Sequence, residues 1–334
     1  MPYLVIIVMF VLSPLLPAGC INDDIPVIIS TDKVSIVTNN SAISGGEIVY
    51  GEETGITEKG LVWSTFNDPT TDNYDGIRNI KSDNNKFTGV IEGLEPGTVY
   101  YVRAYATGSS GTSYGEEQVF KTFSGKVEDA DGNIYYTLQI GENEWTGSNL
   151  RTGKYSNGDV IPVVTDEKKW SSLTSGAWTV YNNDYELQTV YGNLYNWYAV
   201  TDERGLCPAG WRVPTDGDWK VLEMTMGMSS ASSNRVGIRD RYAGGKLKET
   251  GTGHWLSPNI LATNEYGFTA LPGGYRHPRG QFYTLRRNLN WWTSTGHDEY
   301  NAWYRNIYYN NAAIYRNIYG KTSGFSVRCV RDRI

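Results

Sequence analysis

The chain is poor in the residues on which most reactive sites are built. It has only three histidines, His254, His277 and His297, spaced too far apart to match any metal-ligand pattern. It has only three cysteines, Cys20, Cys207 and Cys329. No block of lysine or arginine interrupts a mildly acidic balance of -6, which argues against nucleic acid as the main partner. The one long apolar run, Leu4 to Leu16, is too short to span a bilayer as a helix. No Gly-x-Ser-x-Gly elbow or His-Glu-x-x-His helix occurs. Gly244-Gly245 and Gly273-Gly274 lack the Lys-Ser/Thr that a phosphate loop requires, so both read as turns. Asp129-Ala130-Asp131-Gly132-Asn133 lacks the closing glutamate of a calcium loop and reads as a hairpin turn. No catalytic residue, metal or cofactor is expected.

Aromatic residues with a polar handle are plentiful. The 11 Trp and 25 Tyr far outnumber the 8 Phe, and 37 glycines punctuate the chain; together they read as a β-rich, loop-rich protein that uses its rings at surfaces. Between residues 26 and 123 apolar residues alternate at period two over Val34 to Val37, Ala42 to Ile48, Lys59 to Ser64, Phe87 to Ile91, Tyr100 to Ala106 and Gln118 to Thr122. Short strands at this spacing predict a small antiparallel sandwich. Residues 124–334 form a second unit, less regular, in which carboxylates at Asp216 and Asp218 open a short helix over Trp219 to Met226.

Several stretches resemble known families. Leu15-Leu16-Pro17-Ala18-Gly19-Cys20 resembles a bacterial lipobox, although Pro17 sits where a branched aliphatic is usual and no Lys or Arg precedes the apolar run. The resemblance implies a signal peptide over residues 1–19, a lipidated tether over 20–25, and acyl chains on Cys20 that hold the protein in the outer membrane. Asn22-Asp23-Asp24 is similar to the surface-export signal of Bacteroidetes lipoproteins. A plain cleaved signal is the alternative. Gly93 to Ala106 resembles the end of a fibronectin type III domain, with Tyr100 at the tyrosine corner and Trp63 as core tryptophan. Trp145 to Leu150, Tyr191 to Ala199, Leu206 to Thr215, Gly244 to Lys248, Asn264 to Arg276 and Asn290 to Thr295, in that order, resemble the Fibrobacter succinogenes major paralogous domain. That resemblance implies an α+β, C-type-lectin-like fold related to the formylglycine-generating enzyme. With Cys20 acylated, Cys207 and Cys329 remain to form a disulfide; two buried free thiols are the alternative.

The segment from Tyr275 to Tyr319 concentrates Tyr, Trp, Arg and Asn, and repeats Tyr-Arg-Asn-Ile-Tyr at Tyr304 and again at Tyr315. On paired strands Tyr304, Asn306 and Tyr308 point one way with Tyr315, Asn317 and Tyr319, and Trp303, Arg305 and Ile307 point the other. Asn310-Asn311-Ala312-Ala313 is expected to be the hairpin turn. Tyr and Asn placed just before a fixed C-terminal strand are similar to the variable proteins diversified by retroelements. The expected ligand-facing residues are Arg286, Trp292, Tyr300, Asn301, Trp303, Tyr304, Asn306, Tyr308, Asn310, Asn311, Tyr315, Asn317 and Tyr319. The alternative for this face is rings that pack only on one another. The expected protein is a non-catalytic cell-surface lipoprotein whose partner is a glycan or a protein outside the cell. Two other readings stay open: an architectural subunit of a surface adhesin or fimbrial assembly, and an enzyme related to the formylglycine-generating enzyme.

Overall fold

A computed structural model of the chain describes residues 27–51, 55–82 and 84–332. Cys20, the apolar run and the tether lie outside them. The protein is β-rich, built from several separate antiparallel sheets.

The N-terminal strands are β1 (Ile28–Thr31), β2 (Ser41–Tyr50), β3 (Glu58–Ser64), β4 (Gly76–Asn79), β5 (Lys86–Glu92), β6 (Val99–Gly108), β7 (Gly111–Tyr114) and β8 (Gln118–Lys121). β1, β2 and β5 form one sheet; β4, β3 and β6 form another, with β7 and β8 both pairing β6. Leu61, Val102 and Ala104 from one sheet meet Ala42 and Ile91 from the other in a shared core. Trp63 belongs to this core, and its indole lies so close to β4 that a Cβ on Gly76 would come within 2.3 Å of it. The Tyr100 hydroxyl accepts a hydrogen bond from the Glu95 amide at 3.0 Å, the tie expected of a tyrosine corner. Val34 to Val37 is not a strand. Ile36 takes φ 45°, a left-handed backbone that breaks extension, and only Ser35 bridges to Ile43.

No spacer separates this sandwich from the second unit. The Phe123 amide donates to Thr38 O, and one residue later Ser124 donates to Thr137 O. The Phe123 ring stacks on Tyr136 with centroids 5.5 Å apart.

The remaining strands are β9 (Gly125–Glu128), β10 (Ile134–Ile140), β11 (Asn143–Thr146), β12 (Trp178–Thr179), β13 (Leu194–Tyr195), β14 (Gly237–Asp240), β15 (Tyr275–Arg276), β16 (Phe282–Tyr283), β17 (Asn288–Gly296), β18 (Asn301–Tyr308), β19 (Ile314–Gly320) and β20 (Val330–Asp332). One sheet runs β20-β11-β10-β9, another β14-β19-β18-β17, and β12-β13 and β15-β16 stand as pairs. Asp129 closes the β9–β10 hairpin by accepting from the amides of Asp131 and Asn133. The longest helix here, Asp216–Thr225, starts earlier than the expected Trp219 because Thr215 and Asp218 form a reciprocal capping box. Among the described residues no helix is long and apolar enough to cross a membrane.

Cys207 and Cys329 are joined, with Cα atoms 5.9 Å apart and a sequence separation of 122. Cys329 sits on an extended stretch just before β20 rather than on a strand. Its amide donates to Thr146 Oγ1. Both sulfurs are buried in one core with Phe325, Val327 and Trp292, while a second core gathers Trp145, Trp219, Trp291 and Ile307. Replacing both cysteines with serine is expected to cost roughly 4–5 kcal/mol on the chain-entropy account of such a long loop. Chemical denaturation checks it: the unfolding midpoint of Cys207→Ser/Cys329→Ser falls clearly, and reductant lowers wild type to the same value.

Candidate functional site

The sheet β14-β19-β18-β17 has two faces of opposite character, and the register assigns every side chain. Tyr304 lies across from Asn317 and Trp292, Asn306 across from Tyr315 and Asn290, and Ala302 across from Tyr319. Cross-strand partners share a face, so Tyr304, Asn306, Tyr308, Tyr315, Asn317 and Tyr319 stand on one side, as the alternation implied. Ile238 of β14 pairs with Tyr315 and extends that side.

This face is half-buried rather than open. Tyr304 and Tyr319 each pack on Phe325, at 4.9 and 5.8 Å, and on each other at 5.9 Å. Tyr308 meets Tyr315 edge-on at 5.1 Å. Burial, then the neighbouring Tyr308, pushes the Tyr304 phenol up; Asn317 pulls the other way. Burial likewise raises Tyr308. Tyr304 and Tyr308 therefore stay neutral.

The β15–β16 hairpin continues the aromatic surface, and the sequence reading missed it. Tyr275 contacts Tyr319 at 6.2 Å and Tyr283 at 5.8 Å, and His277 contacts Tyr283 and Tyr319. The signal was available in the spacing of Tyr275 and His277, two apart on an extended segment. The hairpin is held from behind by Arg276, fully buried. Its guanidinium donates to the carbonyls of Gly280, Val164 and Thr165 and lies over Trp170 at 4.3 Å. The β18–β19 turn is held by buried Lys248, whose Nζ donates to Ile260 O, Tyr308 O and Asn311 O. Burial pushes that amine down to about 8.

Several expected ligand-facing residues lie elsewhere. Trp292 is fully buried: Phe325 covers its ring at 4.3 Å and its Nε1 donates to Tyr195 O. Asn306 is on the tyrosine face but only 1% exposed, beneath the rings rather than among them. Trp303 is on the opposite face, with the Arg316 guanidinium 3.5 Å over its ring. Arg286 directs its guanidinium to the carbonyls of His254, Gly253 and Thr252. Tyr300, 70% exposed, and Asn301 sit at the β17–β18 turn, where Asn301 Nδ2 binds Asp298. In the other turn Asn310 is exposed, and Asn311 Oδ1 accepts from Ala313 N.

The reverse face is locked by charge. Asp216, in the first turn of its helix, accepts from Arg305 Nη1 at 2.8 Å and Arg316 Nε at 2.7 Å. Glu223 on the same helix accepts from Arg305 Nε at 2.7 Å and Arg239 Nη2 at 2.5 Å. Arginines from three strands thus converge on one helix. Burial alone would push the Asp216 carboxyl up; hydrogen bonds from Arg316 and the charge of Arg305 outweigh it and hold it well below the usual range.

The family model of the Fibrobacter succinogenes major domain matches residues 138–331, more than half of the 334-residue chain. The chain belongs to that family. Its Fibrobacter succinogenes major domain therefore contains both faces of the sheet and the disulfide. Among curated proteins none matches the chain. Among solved structures, the sensor domain of the anti-sigma factor RsgI4 of Pseudobacteroides cellulosolvens is 20% identical, over 29% of this chain and 94% of that one, with a TM-score of 0.22. The FN1-FN3 domains of chicken CNTN1 are 11% identical over 35% of this chain and 39% of that one, TM-score 0.22. The Yersinia pseudotuberculosis adhesin InvE is 12% identical over 91% and 70%, TM-score 0.24. At such scores none of these says what this chain binds.

Replacing Asp216 with Asn leaves the buried Arg316 guanidinium without its carboxylate and Arg305 with Glu223 alone, at an expected cost of roughly 3–5 kcal/mol. Because the folded-state pKa is depressed, the contribution is present above the ordinary aspartate value of about 4 and lost as pH falls below it. Urea midpoints across this range check both parts: wild type loses stability on acidification more steeply than Asp216→Asn.

Proposed function

We propose that this protein is a non-catalytic cell-surface lipoprotein whose C-type-lectin-like head binds a glycan or protein ligand through the tyrosine face, with the fibronectin-like sandwich as its stalk. The observation that carries the proposal is the shared face of Tyr304, Tyr308, Tyr315 and Tyr319, extended by Tyr275 and Tyr283. These rings are clustered, and all but the exposed Tyr283 are half-buried. Tyrosine offers a large, rigid contact area at low entropy cost, with a hydroxyl to spare. The joint at Phe123–Ser124 supports the stalk role, since it passes from one sheet to the next without a spacer. The likeness to retroelement-diversified proteins rests on the same residues: Tyr and Asn alternate on a strand pair before a buried extended segment, Gly324 to Val330.

The non-catalytic reading draws support from the disulfide. Oxidase chemistry like that of the formylglycine-generating enzyme needs reactive thiols, and the two described cysteines are bonded to each other. Among the described residues no cluster of three His, Cys, Asp or Glu could hold a metal.

Arrays of glycans and extracellular proteins test the face. Wild type is expected to retain ligands that Tyr304→Ala/Tyr308→Ala/Tyr315→Ala loses by at least about tenfold, or about 1.4 kcal/mol. The matching Tyr→Phe variant, which keeps the packing, controls for folding. Equal binding by wild type and the alanine variant rejects this face; a face inaccessible on whole cells, masked by a neighbouring subunit, favours the architectural role. Anchoring is tested by fractionation: wild type partitions with outer membrane, and Cys20→Ser leaves it. A Cys20→Ser protein that stays membrane-bound removes the lipid from the account.

A further inference from the structure

Beneath the phenols lies a row of buried amides. Asn288 and Asn290 on β17 and Asn306 on β18 are 3%, 3% and 1% exposed, and the register places all three on the tyrosine side. Asn288 Nδ2 donates to Asn290 Oδ1, and Thr284 Oγ1 donates to Asn288 Oδ1. The Asn306 amide and the Asn288 side chain both lie against the Tyr308 hydroxyl. One atom is left over: the Asn306 carbonyl oxygen is buried and has no hydrogen-bond partner. A buried acceptor without a donor is destabilising. An alternating strand could carry an apolar residue there at no such cost. The neighbours of Asn306 on its own face are Tyr304 and Tyr308 along the strand and Tyr315 across from it, and none of these three is fully buried.

We propose that the ligand of the tyrosine face is a neutral glycan chain, one of whose hydroxyls donates to the Asn306 carbonyl once a phenol swings aside. The proposal rests on the reading of this face as the binding surface, and it adds the ligand's chemical class. The face carries no guanidinium or carboxylate among its phenols and amides. Burial, then Arg279, pushes the His277 imidazole down, so this ring also stands neutral. Protein interfaces draw much of their energy from arginine beside the aromatics; the β17, β18 and β19 positions of this face carry none, and the exposed Arg279 stands in the β15–β16 turn beside His277. A sugar ring matches what is here: apolar C–H faces for the phenol rings, and hydroxyls that both donate and accept for the amides. A buried acceptor built to meet a hydroxyl also discriminates strongly against ligands without one. From Tyr319, opposite Ala302, to Tyr308 the surface extends about 20 Å at a rise of ~3.4 Å per residue. That length suits an oligosaccharide rather than a single sugar.

The test is affinity electrophoresis of the purified protein through gels containing galactomannan, arabinoxylan, mannan or mixed-linkage β-glucan, beside wells coated with fibronectin, collagen or fibrinogen. Wild type is expected to be retarded in at least one polysaccharide gel. Asn306→Leu, of similar size, is expected to bind at least about tenfold more weakly while its thermal midpoint stays level or rises, because an unpaired buried carbonyl has been removed. A midpoint lower by several degrees, or unchanged retardation, overturns the role given to Asn306. No retardation in any gel, with protein capture that Tyr304→Ala/Tyr308→Ala/Tyr315→Ala abolishes, overturns the glycan and keeps the face. Neither kind of binding overturns both.

Discussion

The Fibrobacter succinogenes major domain depends on a single extended segment, Gly324 to Val330, threaded through its middle. Each residue along it answers to a different element. Gly324 exchanges backbone hydrogen bonds with Arg276 of β15, Phe325 with Tyr195 of β13, and Val330 with Arg212; Ser326 bonds Asn290 and Trp292 of β17, and Val327 accepts from Leu150. Arg328 is fully buried, and among the described residues no carboxylate pairs with it. Its guanidinium is solvated by Asn149 Oδ1, Thr146 O and Phe268 O, and burial pushes it down to about 9. A cation in that position holds only if the carbonyls around it stay fixed. The disulfide at Cys329 then makes the placement permanent. With so many short elements and so few long ones, the order comes from this shared partner more than from any regular sheet.

The same segment decides which side of the β17–β18–β19 sheet is available. Phe325 covers the lower part of the tyrosine face, sealing Trp292 and half-sealing Tyr304 and Tyr319, and leaves Tyr308 and Tyr315 nearer the rim. On the other side, the helix Asp216–Thr225 is bound by three arginines. Ion pairs at such depth are weak evidence of net stability, but breaking one is costly, so the helix cannot drift off the sheet. A surface locked from behind by charge and from the side by a disulfide can vary its outward residues without losing its shape. That is the physical condition a recognition face requires.

Much of this was legible in the chain. Period-two alternation placed Tyr304, Asn306 and Tyr308 with Tyr315, Asn317 and Tyr319, and register confirms the shared face. Counting cysteines left one pair to bond. Tyr100 and Trp63 were legible from short motifs. What escaped was depth. Whether a face is solvent or floor depends on what comes to cover it, and Phe325 reaches Trp292 only through the fold. The ion cluster was hidden for the same reason, since Asp216 and Arg316 are a hundred positions apart. Trp303 shows a different failure: the alternation put it opposite the tyrosines, yet its aromatic character drew it into the ligand set.

Asn306 makes the remaining point. Its position was readable, its burial was not, and the two together say more than either. An exposed asparagine among tyrosines would be an ordinary surface residue. A buried one with its carbonyl unanswered conflicts with the local rule that polar groups below the surface find partners. Conflicts of that kind collect at functional sites, where the missing partner arrives from outside. The floor of the tyrosine face leaves the Asn306 carbonyl unanswered, beside Tyr308 and Tyr315, which meet edge-on at 5.1 Å.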